Sequence, residues 1–156
     1  MSRNESKLRV CLAASTGGHL TQLLRVEESW KGYDTFCVTS KDVAVARLEK
    51  YGKVYVVGDC NREHPLQAVA VLFRCMKVIF RERPDVVIST GAAPGVICCF
   101  LAKLIGAKVT WLDSIANTEK LSMSGRMIRP FADLILSQWP DVAQKYNNVS
   151  YVGNVI

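Results

Sequence analysis

This 156-residue sequence has two histidines and no Cys-x-x-Cys pair, and each scarcity removes a class of function. The spacing of a zinc site is missing. The six cysteines, Cys11, Cys37, Cys60, Cys75, Cys98 and Cys99, sit mostly in apolar runs and read as small core hydrophobes. The opening "MSRNESKLR" is polar and short, without the pattern of a signal peptide, so a reducing cytoplasm is expected. A membrane-crossing helix needs ~20 apolar residues. The uncharged stretch 86–102 contains Gly91, Pro94 and Gly95, and reads instead as strand, turn and helix. The dinucleotide fingerprint G-x-G-x-x-G is absent, and "VTSK" stands where its acidic partner belongs, which argues against a nicotinamide enzyme. Repeats, low-complexity tracts and linkers are also missing. Residues 1–156 are therefore expected to form one domain.

What is present is apolar and basic. At 49% hydrophobic composition the chain is long enough to bury a sizeable core. Twenty Lys and Arg against 14 Asp and Glu leave a formal charge of +6, which favours anionic partners. No dense basic cluster or reading motif points to nucleic acid.

Strand-like and helix-like patterns alternate along the chain. Strands are expected at "LRVCLAA" (8–14), "DTFCVTS" (34–40), "KVYVVG" (53–58), "DVVIST" (85–90), "KVTWLD" (108–113), "DLILSQ" (133–138) and, shorter, "VSYVGN" (149–154). Helical patterns cover 19–31, 42–51, 65–83, 95–105, 120–131 and 141–146. Such alternation implies an α/β fold: a mostly parallel, Rossmann-like sheet of six or seven strands with helices on both faces. Ligands on such sheets sit beyond the carboxyl ends of the strands, near the switch point.

Four features stand out against that frame. "ASTGGH" carries Ser15, Thr16, Gly17, Gly18 and His19 from a strand into a helix. It suits backbone amides cradling a phosphate, and equally a tight turn without a ligand. His19 fits a cap, a buried structural imidazole, or a base for a sugar hydroxyl. "STGAAPG" (89–95) is a second glycine-rich strand end. Asp113 ends the fifth strand, as a base or as a turn residue. The fourth feature is the stretch 68–80, apolar almost all round. At ~100° per residue, Arg74, Lys77 and Arg81 form one narrow stripe, bordered by Phe73 and Phe80 on one side and by Val71 and Val78 on the other. Burial within the domain is one reading; docking on an anionic membrane surface is the other.

Three stretches in order, "STGGHLTQLL", "DVVISTGAAPGVICCFLAKLIGAKVTWLDS" and "GRMIRPFADLILSQWPDV", resemble the PssD-type polysaccharide biosynthesis proteins. Those are bacterial relatives of the membrane-anchoring, acceptor-binding subunit of the eukaryotic two-subunit N-acetylglucosaminyltransferase. The same stretches resemble the N-terminal half of MurG. The resemblance covers nearly the whole chain and implies the acceptor half of a GT-B glycosyltransferase, whose donor half is a separate partner subunit holding the nucleotide sugar. The chain stops at "YVGNVI", where a similar segment leads MurG into its second domain.

By resemblance, Ser15, Thr16, Gly17, Gly18, Gly91 and Gly95 belong to the acceptor-binding turns. Asp113 stands where relatives commonly carry Glu; it or His19 deprotonates the acceptor hydroxyl, with Asp113 expected as base and His19 as the contact to the diphosphate or the acceptor. Ser124 and Gly125 match a small-residue pair of unassigned role. The implied acceptor is an undecaprenyl-diphosphate-linked sugar, the implied donor a UDP-sugar, and the implied setting exopolysaccharide or capsule synthesis on the inner face of the plasma membrane. No metal or other cofactor is implied. A non-catalytic anchor for an active partner, or an independent nucleotide binder, are the alternatives.

Overall fold

The computed structural model describes residues 7–61 and 63–155. The polar opening up to residue 6, Arg62 and Ile156 fall outside the described residues. The described residues build a seven-stranded sheet in the order β3-β2-β1-β4-β5-β6-β7. Its strands are β1 (Arg9–Ala14), β2 (Asp34–Thr39), β3 (Lys53–Val56), β4 (Val86–Gly91), β5 (Lys108–Leu112), β6 (Leu134–Ser137) and β7 (Val149–Tyr151). Every neighbouring pair is parallel. The chain fills one half outward from β1 to β3, returns beside β1 as β4, and then fills the other half. The order therefore reverses between β1 and β4.

The two faces follow from the two-residue period of a strand. Val10, Leu12 and Ala14 of β1 point to one side, where α1 (Gly18–Arg25) and α2 (Val45–Leu48) bring Leu20, Leu23 and Leu48 against them. Cys11 and Ala13 point to the other side, under α3 (Pro65–Glu82) and α4 (Ala92–Leu104), with α5 (Met123–Ile128) and α6 (Pro140–Gln144) following toward β7. That second layer holds the larger core, including Phe36, Ile79, Trp111 and Ile135. Cys11, Cys75, Cys98 and Cys99 lie wholly within it, so the expected hydrophobic role of the cysteines holds there. Cys37 is buried on the opposite face, where desolvation pushes its thiol up to about 12. At the opposite edge from the strand ends considered below, the Arg9 guanidinium joins the carboxylates of Asp34 and Glu82 and lies 5.4 Å from the Phe36 ring centroid.

The element boundaries depart from the sequence expectations chiefly in the helices, and α5 covers only half of the expected 120–131. The first helical pattern breaks at Val26 and resumes as a single 3-10 turn, Glu27–Ser29, which swings Trp30 inward. The segment over 42–51 is one α-helical turn flanked by two 3-10 turns. α4 starts at Ala92, three residues earlier than expected, and takes Pro94 into its first turn, where a missing N–H costs nothing.

Coverage of the first face is incomplete. Beyond α1, the residues of β4, β5 and β6 that point to it are Val86, Ile88, Thr110, Leu112, Leu134 and Leu136. They floor a crevice of about 520 Å³, with Tyr33 and Val26 at one side and Val152 and Val155 at the other. Leu134 is 44% exposed there.

Candidate functional site

The reversal of strand order puts the carboxyl ends of β1 and β4 side by side. The "STGGH" turn leaves β1, and Gly17 (φ +87°) is the cap residue of α1 without any side-chain cap bond. The amides of the first helical turn have no carbonyl behind them within the helix, and Gly17 and Gly18 are exposed. A Cβ on either glycine would meet nothing within 4 Å. This is open space at the positive end of a helix. Thr16 is fastened from behind, its N–H donating to the Ser40 hydroxyl at 3.2 Å.

His19 closes the turn against β4. Its carbonyl accepts from the Thr90 hydroxyl at 2.6 Å, and its Nδ1 is 3.0 Å from the Ser15 hydroxyl. The Cδ2–Nε2 edge of the ring lies over Gly91. A Cβ there would stand 2.5 Å from Cδ2 and 2.7 Å from Nε2, so no other residue leaves room for the imidazole. Gly91 has φ +141°, and Ala92 after it has φ +68°, a left-handed conformation that is strained for a residue with a side chain. Among the described residues nothing hydrogen-bonds Nε2. Burial holds the imidazole below its ordinary pKa, and the nearby Asp113 charge opposes that shift. Burial thus favours the neutral imidazole, with Nε2 unbonded among the described residues.

Asp113 lies behind this turn, not on its surface. It is 2% exposed. One carboxylate oxygen accepts from the Trp111 indole N–H at 3.0 Å and the Ser122 hydroxyl at 2.5 Å; the other accepts from the Ser122 N–H at 2.8 Å. Ser122 in turn caps α5, its hydroxyl accepting from the Gly125 N–H at 2.8 Å. A Cβ at Gly125 would stand 2.6 Å from the Asp113 carboxylate, which gives Gly125 a local reason. Three donors hold the side chain that the sequence suggested as base. Its charge reaches His19 through space.

Gly95 differs from Gly91. It is buried in α4, where a Cβ would stand 2.2 Å from the Ser89 hydroxyl, so it admits a strand beneath the helix and does not line the open turn.

Two residues that the sequence reading passed over tie the site together. Gln22 of α1 and Gln138 after β6 are each 3% exposed and are joined by a 2.6 Å hydrogen bond. A glutamine between Leu20 and Leu23 on an otherwise apolar helix face was the available signal.

The basic stripe lies on the other side of the molecule. Val71 and Val78 of α3 are buried against the sheet, while Phe73 (62%) and Phe80 (47%) are exposed. Arg74, Lys77 and Arg81 flank a shallow crevice beside β3, and Arg74 donates to the Val57 carbonyl at 3.1 Å. Leu104 of α4 and Met127 of α5 continue the exposed apolar surface, and Phe100 meets Phe131 edge to face at 5.4 Å. Among the described residues no helix is long and apolar enough to cross a membrane, and no group of His, Cys, Asp and Glu could hold a metal.

Comparison with known proteins places the whole arrangement. The family described as "Oligosaccharide biosynthesis protein Alg14 like" matches residues 10–155. The subunit named UDP-N-acetylglucosamine transferase subunit ALG14 of Yarrowia lipolytica is 27% identical, over 76% of this chain and 57% of its own. Its Schizosaccharomyces pombe counterpart is 37% identical, over 58% of this chain and 47% of its own. The mouse subunit is 26% identical, over 96% of this chain and 83% of its own. The chain thus spans about half the length of the two fungal relatives. Among solved structures, Acinetobacter baumannii MurG superposes with a TM-score of 0.76 at 14% identity, covering 93% of this chain and 45% of MurG. A UDP-N-acetylglucosamine 2-epimerase from Rickettsia bellii gives 0.71 at 14% identity, over 96% and 45%. These likenesses show a Rossmann-like fold, matched in each case over less than half of the longer chain.

The site makes a titration prediction. The His19 ring, followed by NMR, is expected to titrate below the ordinary imidazole midpoint near 6.5. In a folded Asp113→Asn protein the midpoint moves lower still, because the charge that favours the imidazolium is gone. A midpoint at or above 6.5, or a rise on that substitution, contradicts the described environment.

Proposed function

Because the chain belongs to the Alg14-like family of oligosaccharide biosynthesis proteins, we propose that it is the acceptor-side subunit of a two-component glycosyltransferase. The observation that carries the proposal is the seating of His19 on Gly91, at the point where the strand order reverses and parallel sheets bind ligands. The open amides of Gly17 and Gly18, with Ser15 and Thr16 before them, suit the diphosphate of a lipid-linked sugar. The donor is a UDP-sugar, UDP-N-acetylglucosamine by the names of the relatives, held mainly by the partner subunit. The acceptor is undecaprenyl-diphosphate-linked, and the setting exopolysaccharide or capsule synthesis.

In the reaction an acceptor hydroxyl oxygen bonds to the anomeric carbon of the donor sugar. The bond from that carbon to the diphosphate breaks, UDP leaves with the electron pair, and the hydroxyl proton passes to a base. His19 is that base: its Nε2 is unengaged and its pKa favours the neutral form. Asp113 is a positioning residue, which fixes the loop after β5 and stabilises the imidazolium by its charge.

The bare face over β4, β5 and β6 supports a partner subunit. A parallel sheet is stable with both faces covered, and this crevice is apolar and continuous with the tail at Val152 and Val155. The outward face of α3, α4 and α5 supports peripheral attachment to the inner leaflet of the plasma membrane. Phe73 and Phe80 enter the acyl boundary, and Arg74, Lys77 and Arg81 meet anionic headgroups.

The test is sugar transfer by the purified pair, by each subunit alone, and by a pair carrying His19→Ala. The expectation is activity only in the pair, reduced ~10²–10⁴-fold by the substitution. Full activity in the partner alone makes this chain a non-catalytic anchor, the reading favoured by its exposed apolar helices. For the membrane face, replacing Arg74, Lys77 and Arg81 by Gln removes ~1 kcal/mol each from binding to phosphatidylglycerol vesicles and flattens its salt dependence. Unchanged binding by the folded triple variant removes the stripe from the membrane account.

A further inference from the structure

The chain has a buried polar network that neither its core packing nor the proposed chemistry requires. It is built from two amides. The Gln22 NH2 donates to the Gly18 carbonyl and to the Ser114 hydroxyl, each at 3.3 Å. Its oxygen accepts from the Ile115 N–H at 3.0 Å and from the Gln138 NH2 at 2.6 Å. The Gln138 NH2 also donates to the Asp113 carbonyl at 3.0 Å, and its oxygen accepts from the Val155 N–H at 3.1 Å. Both donors and both lone pairs of the Gln22 amide are thus used, and three of the four positions on Gln138.

Four separate pieces of chain meet at these two groups. They are the helix that starts at the glycine turn, the loop after β5, the end of β6, and the tail beyond β7. The loop after β5 is held again by the Trp139 indole, which donates to the Ile115 carbonyl at 2.6 Å. A satisfied buried network specifies one arrangement sharply, because breaking any member leaves another polar group unpaired in low dielectric.

We propose that Gln22 and Gln138 are positioning residues that hold the acceptor-side turn, the 113–115 loop and the C-terminal tail in one register. The tail borders the crevice assigned to the partner. The amide pair therefore links the surface where the partner seats to the turn where the diphosphate binds. This inference rests on the reading of the chain as the acceptor subunit. His19 does the chemistry, held separately by Ser15 and Thr90, and the two glutamines set where Gly18 stands relative to Ser114 and Ile115.

The experiment uses the full chain in complex with its donor-binding subunit, with acceptor and UDP-N-acetylglucosamine varied in turn. Gln22→Met and Gln138→Met keep the side-chain length and remove the bonds. Each is expected to raise the acceptor KM about tenfold, with kcat and the donor KM within about twofold. Because the two amides act as one unit, the double variant is expected to be no worse than the weaker single variant. Multiplying effects, a parallel rise in donor KM, or an unchanged acceptor KM in a folded variant overturns the proposal. Gln22→Glu keeps the oxygens that accept from Ile115 and Gln138 and removes the donations to Gly18 and Ser114. It serves where methionine prevents folding, with the same acceptor-specific rise expected and the same overturning results. If the unsubstituted pair transfers no sugar, the functional reading fails separately. The network is then read by amide exchange: Gln138→Met is expected to speed exchange of the Ile115 N–H, which donates to Gln22, while β1 keeps its protection. Unchanged exchange there overturns it.

Discussion

The imidazole of His19 and the backbone of Gly91 lie too close for even a methyl group to come between them. Two strand ends, β1 and β4, have to be neighbours for that contact to exist, and the order reversal of the sheet makes them so. The Thr90 hydroxyl then holds the His19 carbonyl, and Ser15 holds the ring through Nδ1. The imidazole is thus fixed on three sides, with its Cδ2–Nε2 edge over Gly91. The left-handed Ala92 is part of the same corner, since the chain has to leave Gly91 sharply to start α4.

The rest of the carboxyl edge is arranged around that contact by polar groups that are themselves buried. Asp113 organises the entry to α5 through Ser122, and its charge opposes the desolvation of His19. Gln22 and Gln138 bind the adjoining loop and tail. The uncovered faces lie elsewhere: an apolar crevice over β4 to β6, and the outward side of α3 to α5. A domain that leaves two apolar surfaces of different character, one concave and one flanked by cations, suits two neighbours. In this account they are a protein partner and a lipid surface.

Much of this was legible in the chain. Alternating strand and helix patterns located all seven strands, and the turns at 15–19 and 89–95 were found as glycine-rich strand ends. Local pattern served there because each element buries its own periodic face. It failed where the deciding contact is distant. Asp113 reads as a strand-end carboxylate, and no spacing rule shows that it holds Ser122, nine residues on. Gln22 and Gln138 are 116 residues apart, and no spacing rule joins them. Gly95 and Gly91 look equivalent in "STGAAPG", yet one makes room for a buried serine and the other for the His19 imidazole. The early start of α4 depended on a positive φ at an alanine, which sequence gives no reason to expect.

The central claim is that this chain holds the acceptor while another holds the donor. It is tested most directly by amide NMR of the labelled chain within the two-subunit complex. A short-chain isoprenyl-diphosphate sugar is expected to shift the Gly17, Gly18 and His19 resonances, and UDP-N-acetylglucosamine alone to leave them in place. Shifts of those three residues by the nucleotide sugar, with none from the lipid diphosphate, would contradict the account.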